Sequence, residues 1–502
     1  MMQTRTAVLL VLGLLSLPAS CPGQAPVAPV APVAPAAKKA EPRSAPPATP
    51  ATPATPATAT APSAATATTT ATAAEKFSFS VRYPASTFPG PFTGRIVVYL
   101  AKDEGKGDRV RQPRFGPNWF NPEPMYGFRA KNAAPDQGIT FGASTWTAFP
   151  APPERLTKGT YAVQAVLDRN LGGRSIGSCP GNLYSKPQRI EIDPAAERVI
   201  ELVCDQLVGD KPFVETARVK ELRVPSKLLS DFYGRPTTIN GAVLLPAAYA
   251  SEPDRKFPIL YSVPGFGGTH QGWSGTKLEG GGRGRGDPTL RAGEPFLYVE
   301  LDPSCPGGHS VFADSANNGP WGAALTTEFI PECERRYRAR GDVGARFTGG
   351  HSSGGWSSLW LQTTYPDVFG GCWSTSPDPV DFRDFQRIDA YAAGENMFVD
   401  GEGKPRGLAR MGGATKILYK SFSDMERPLR GEQLGSFEWA FSPRGEDGEP
   451  KPLWNRDTGV IDATVAAAWK PYDIGLRLRT EWPKLAPKLG GKIHVYMGTE
   501  DT

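Results

Sequence analysis

The chain has 502 residues, a formal net charge of +5 and 21% charged residues. That length exceeds one small domain and suits two folded regions with an appendage. Arg5, Lys38, Lys39 and Arg43 against Glu41 place +3 of the net charge in residues 1–74, and no Lys/Arg-rich run appears. The charge therefore excludes a nucleic-acid footprint.

Residues 1–21 start with Arg5, continue through an apolar core at 7–17 and end in small residues. This pattern predicts a signal peptide, because about ten apolar residues are too few to span a bilayer. Cys21 after Leu17-Pro18-Ala19-Ser20 resembles a bacterial lipoprotein cleavage site, although Pro18 departs from it. The expectation is export, with the protein secreted, periplasmic or on the cell surface. Both simple release and attachment to a membrane by a lipid on Cys21 stay open. Residues 22–75 are nearly all Ala, Pro, Thr, Val and Ser, a composition that buries no core and predicts an extended tether.

Residues 76–206 read as short strands between Pro/Gly/Asn turns, which predicts an all-β, immunoglobulin-like sandwich. Its insert Arg114-Phe115-Gly116-Pro117-Asn118-Trp119-Phe120 is aromatic; such residues touch carbohydrate in some proteins and are more often core. This region is expected to dock the enzyme or a polymer and to be separable from the chemistry.

Residues 207–502 alternate strands and helices, the pattern of an α/β fold with a mostly parallel sheet. Ile259-Leu260-Tyr261-Ser262-Val263 and Phe296-Leu297-Tyr298-Val299-Glu300-Leu301 read as buried strands, and residues 321–338 as an amphipathic helix. Residues 377–488 form a long insert with the size of a cap, able to move as a lid. The run Arg346-Phe347-Thr348-Gly349-Gly350-His351-Ser352-Ser353-Gly354-Gly355 reads as a strand, a Gly-x-Ser-x-Gly bend and a helix. Serine hydrolases hold their nucleophile on such a bend, whereas an ordinary capping serine needs no flanking glycines. A second match, Gly173-Arg174-Ser175-Ile176-Gly177, runs into Ser178-Cys179-Pro180-Gly181, which blocks the required helix. Context selects Ser352 over Ser175.

Besides Cys21 there are Cys179, Cys204, Cys305, Cys333 and Cys372. Export permits disulfides, and the pairs expected are Cys179–Cys204 and Cys305–Cys333, with buried free thiols as the alternative. No Cys-x-x-Cys occurs and there are four histidines, so no zinc or haem site is expected.

Several blocks match a known family. Val243-Leu244-Leu245-Pro246-Ala247-Ala248-Tyr249 and Phe257-Pro258-Ile259-Leu260-Tyr261-Ser262-Val263-Pro264-Gly265-Phe266-Gly267-Gly268 resemble the opening of the “Putative esterase” (esterase D-like) family of α/β-hydrolases. Glu328-Phe329-Ile330-Pro331-Glu332, the Ser352 bend and Tyr365-Pro366-Asp367-Val368-Phe369-Gly370-Gly371 continue the resemblance, which covers about residues 215–376 and 490–501. It implies an α/β-hydrolase fold, carboxylic-ester hydrolysis by a serine nucleophile through an acyl-enzyme, and no cofactor. The substrate expected is a small-molecule or polysaccharide-linked ester.

Ester chemistry of this kind needs a nucleophile, a base, an acid that orients the base, and donors for the tetrahedral oxyanion. Ser352 is the expected nucleophile. The amide of Ser353 and that of Phe266, or else Gly267, are the expected oxyanion donors. The family places its acid after the late strand at residues 492–497, which points to Asp501, then Glu500. Asp378 and Asp381, after the strand ending near Ser374, are alternative acids, and a plain turn aspartate is the bland reading of each. Triad order requires a histidine after the acid, and none follows Thr502. The sequence is therefore expected to be a fragment, with that histidine within about 60 residues of Asp501. His270 and His309 are candidate substrate contacts or substitute bases; His351 and His494 read as structural. Acyl transfer on the same scaffold and a non-catalytic, hydrolase-like surface protein are the competing functions.

Overall fold

In the computed structural model the described residues are 77–103, 110–142, 146–172, 175–278, 286–290, 293–430, 432–498 and 501. The leader, Cys21, the tether and Glu500 lie outside them. All belong to one compact unit formed by residues 71–502.

The N-terminal part is rich in strands. Phe77–Arg82 alternates large apolar and small residues, pairs in parallel with Arg198–Val203 and antiparallel with Ile139–Phe141. A larger sheet runs Gln206–Leu207, Leu183–Tyr184, Gly159–Asp168, Phe92–Lys102, Met125–Ala133, Thr147–Phe149, with Gln188–Ile192 also on Gly159–Asp168. Phe79, Ile96, Val98, Leu100, Tyr161 and Val163 fill the core shared by the two sheets. The middle strands are buried on their other face as well. Val97, Tyr99, Met125 and Val166 there share a second core with Phe385, Phe437, Phe441 and Trp469 of the 378–489 segment. Gly127 shows how close the two parts come, since a Cβ on it would lie 2.2 Å from the Pro428 carbonyl oxygen. The N-terminal strands are thus not a separate body.

The C-terminal part has an α/β-hydrolase fold, built on a seven-stranded sheet. Its order is Val219–Pro225, Thr238–Leu244, Leu297–Leu301, Ile259–Val263, Arg346–Ser352, Gly371–Pro377, Ile493–Tyr496. The first two pairs are antiparallel and the last five strands run parallel. Leu260, Phe347 and Gly371 sit in register, Val263 lies opposite Gly350, and Ser352 lies opposite Pro377, so these strands end close together. The expected helix from Trp321 runs to Arg336, with a wider turn at Leu325–Phe329. Pro331 is the cause: it has no N–H to give to the preceding turn, and the ladder opens before it.

Residues 378–489 are a folded layer. They contain the hairpin Gly407–Met411/Ala414–Leu418 and the helices Tyr419–Glu426, Gln433–Phe441, Ala463–Trp469 and Ile474–Leu489. The disulfides expected from the sequence do not form. Cys179, Cys204, Cys305, Cys333 and Cys372 are all free and buried. Cys204 lies in the core between the N-terminal sheets, while Cys305 and Cys333 pack among the apolar side chains under the hydrolase sheet. Burial pushes the Cys305 and Cys372 thiols up to about 12, so they behave as small apolar groups.

Candidate active site

Ser352 closes the Arg346–Ser352 strand and caps the Ser353–Thr364 helix with φ 58° and ψ −125°. A non-glycine residue at positive φ is strained, and such strain is held where the surroundings over-determine it. Here the flanking glycines supply the constraint. A Cβ on Gly350 would lie 2.3 Å from the Gly354 carbonyl oxygen, and one on Gly354 would lie 1.9 Å from the Val263 carbonyl oxygen. No side chain fits between strand and helix, and the bend has a single tight geometry. Ser175 has no such setting. It precedes the short 3-10 turn Ile176–Ser178, φ −80°, and Gly173 and Arg174 lie outside the described residues.

The loop after the Ile259–Val263 strand comes up against the same bend. A Cβ on Gly265 would lie 3.1 Å from the His351 carbonyl oxygen and 3.3 Å from Ser352 Cβ. The loop folds back as a turn in which Gly268 N–H donates to the Gly265 carbonyl at 2.9 Å, with Gly267 at φ 87°. Phe266 and Gly267 therefore sit at the crest of a turn beside Ser352. Ser353 opens the helix on the other side, where a first-turn amide has no partner within the helix.

The carboxylate at this centre is Asp378. Ser352 Oγ donates to Asp378 Oδ1 at 3.2 Å, and Ser353 Oγ donates to Asp378 Oδ2 at 2.5 Å. Asp378 N–H also donates to the Ser352 carbonyl at 3.3 Å, so the aspartate is held by backbone as well as side chain. Gln433, at the start of the Gln433–Phe441 helix, reaches in: its Nε2 donates to Ser353 Oγ at 3.3 Å and to Asp378 Oδ2 at 3.4 Å. Burial pushes Asp378 up to about 6, against the two serine hydroxyls and the nearby His351, which pull it down. Asp501 adds a repulsive field that also raises it. Asp501 itself is exposed, with its N–H on the Gly498 carbonyl at 3.2 Å. Asp381 is turned elsewhere. It pairs with Arg479 at 2.6 Å and Arg383 at 3.0 Å, which hold its carboxyl well below the usual range despite partial burial.

Residues 304–502 match the family described as “Putative esterase”. The resemblance read from the sequence is to this same family. Solved structures of similar fold include a ferulic acid esterase at 16% identity, covering 56% of this chain and 90% of that one, with a TM-score of 0.28. An S-formylglutathione hydrolase from Agrobacterium tumefaciens is 14% identical over 57% of this chain and 88% of that one, TM-score 0.30. A ferulic acid esterase from Anaeromyces mucronatus is 20% identical over 34% of this chain and 62% of that one, TM-score 0.25. No curated protein matches the chain.

Among the described residues, none of the four histidines hydrogen-bonds Ser352. His270 is buried with Nδ1 on Asp302 at 2.8 Å and Nε2 on Glu221 at 3.1 Å. His309 donates from Nε2 to the Pro264 carbonyl at 3.1 Å and accepts the Val311 N–H on Nδ1 at 3.0 Å. Burial lowers it to about 4, consistent with a neutral ring. It props the base of the glycine turn and has no nitrogen left for the serine. His351 is exposed, and His494 lies flat on Trp373 with ring centroids 4.8 Å apart.

Two participants escaped sequence reasoning. Gln433 carries no motif and arrives from the inserted layer. Trp119 had a visible signal, its aromatic insert, but not its destination. It stacks on Phe266 with centroids 5.9 Å apart and meets Phe422 edge-on at 5.0 Å. Its neighbours Phe115 and Phe120 are exposed, so the insert divides between core and surface.

Proposed function

We propose that this protein is an extracytoplasmic serine esterase with Ser352 as nucleophile. The observation that carries the reading is the positive-φ bend at Ser352, locked by Gly350 and Gly354 and faced by the Gly265–Gly268 turn. Ser352 Oγ attacks the ester carbonyl, forming a C–O bond as its proton passes to a base. The carbonyl electron pair becomes an oxyanion, received by the Ser353 amide and by the Phe266 or Gly267 amide. Collapse expels the alcohol, which takes the proton, and leaves an acyl-enzyme that water hydrolyses.

Among the described residues, Asp378 is the proton acceptor in reach of Ser352, at 3.2 Å. Asp501 lends the site a second negative charge and is the acid that the family resemblance favours. The leader at residues 1–21 supports export, and the ester substrate is a small molecule or an acyl group on a polysaccharide. The two N-terminal sheets over one core support an immunoglobulin-like sandwich.

A fluorophosphonate probe tests the reading. Labelling of the wild type and none of Ser352→Ala, with matching loss of aryl-acetate turnover, is the expected result. Equal labelling of both, or none of either, overturns it in favour of a non-catalytic scaffold. Product analysis with an added alcohol acceptor separates hydrolysis from acyl transfer.

A further inference from the structure

An oxyanion hole made of loop amides works only while the loop is held in one geometry, so what grips the Gly265–Gly268 turn matters as much as its own residues. From beneath, His309 Nε2 holds the Pro264 carbonyl at 3.1 Å. From the outside the contact is Trp119. Its ring lies over Phe266 at 5.9 Å with 25° between planes, and its edge meets Phe422 at 5.0 Å and 82°. Phe266 belongs to the turn, Phe422 to the Tyr419–Glu426 helix of the inserted layer, and Trp119 to the N-terminal part of the chain. Phe422 is itself buried in the core that the inserted layer shares with the N-terminal sheet. One indole therefore joins the turn to a rigid interface.

We propose that Trp119 is a positioning residue for ester hydrolysis: it fixes the amides of Phe266 and Gly267 by clamping the Phe266 ring against Phe422. This rests on the Ser352 reading above. It makes the N-terminal part a component of the catalytic centre instead of a docking module. A ring stacked on Phe266 resists rotation of the turn about its ends, and a displacement of the order of 1 Å at such a centre costs about 100-fold in rate.

The test uses the full chain with Trp119→Ala, Trp119→Phe and Trp119→Leu, each first checked for a cooperative thermal transition. Trp119→Ala should lower kcat on a small aryl acetate by about 10- to 100-fold, with KM changed less than about threefold. Binding of a boronic acid, whose tetrahedral adduct uses the same amides, should weaken in parallel. Trp119→Phe should recover most of the rate because it restores a stacked ring. Trp119→Leu, which keeps apolar volume without a ring, should not, and it stands in if the alanine variant fails to fold. Unchanged kcat in the folded variants, or a loss confined to KM, overturns the proposal. Wild-type protein that fails to label at Ser352 overturns the esterase reading and this one together. Labelled wild type with full-rate Trp119→Ala overturns this one alone.

Discussion

Asp168 and Arg430 form an ion pair at 2.7 Å with side chains only 7% and 8% exposed, and they come from opposite sides of an internal boundary. Asp168 ends the long strand Gly159–Asp168 of the N-terminal sheet, while Arg430 belongs to the layer inserted into the hydrolase fold. The Asp168 carboxylate also accepts from Asn170 N–H at 2.9 Å and Asn182 Nδ2 at 3.1 Å. Beside it Arg95 Nη1 donates to the Arg427 carbonyl at 3.1 Å. A charge pair this well buried is justified only where the interface is permanent.

Breaking that pair should be costly. Arg430→Ala leaves Asp168 buried without its cation, and such a loss runs to about 3–5 kcal/mol. Denaturant unfolding of the variant should show the whole of residues 77–498 weakened in one transition. A first transition that melts the N-terminal sheets alone would contradict the shared core.

Gly354→Ala should not give a folded, active protein. Its Cβ would stand 1.9 Å from the Val263 carbonyl oxygen, between two backbone segments that cannot yield separately. A destabilisation above about 3 kcal/mol is expected, of the kind seen when strain is forced on a close-packed site. Soluble expression and the midpoint of urea unfolding measure it, with Gly394→Ala, an exposed positive-φ position with open space, as a milder comparison.

Asp378 should impose a pH limb. Its carboxyl, raised by burial to about 6, must be ionised to accept the Ser352 proton, so kcat/KM should climb as pH rises through about 6. Asp378→Asn should abolish that limb. A limb near neutrality that survives the substitution assigns the proton to a histidine instead. Stability runs the opposite way. A carboxyl whose folded value lies above its ordinary 3.8 favours the protonated form, so its burial weakens the fold progressively from about pH 4 to 6. Asp378→Asn should therefore melt higher than wild type at pH 8, with the gap closing toward pH 4.

His270 titrates in the other sense. Burial alone would lower it, but Asp302 and Glu221 on its two nitrogens overcome this and raise it above its ordinary 6.5. Its contribution is full below 6.5 and is lost as pH rises through the folded value. The melting temperature should fall on alkaline titration, and His270→Gln should remove that part of the slope. An identical slope in the variant would mean that the pair of carboxylates holds the loop without the imidazolium.

The bend at Ser352, the strands around it and the rejection of Ser175 are legible in the sequence because their causes are local. Glycine at two positions, a proline in the wrong place and a run of apolar residues each act within a few bonds of where they stand. The unbroken run Ile96-Val97-Val98-Tyr99-Leu100-Ala101 also carried a signal, since a strand covered on one face alternates and one covered on both does not. What covers the second face could not be read, because the covering side chains lie in helices from beyond residue 378. The same separation hid the partners of the site. Asp378 and Asp501 follow neighbouring parallel strands, and the family resemblance favours Asp501; the close of the Gly371–Pro377 strand puts Asp378 on the serine, while Asp501 remains exposed. Cys305 and Cys333, likewise, are free because packing under the sheet places both thiols among apolar side chains. Local sterics are written residue by residue along the chain, whereas the choice of partner depends on which distant surface arrives, and that is settled when the layers pack.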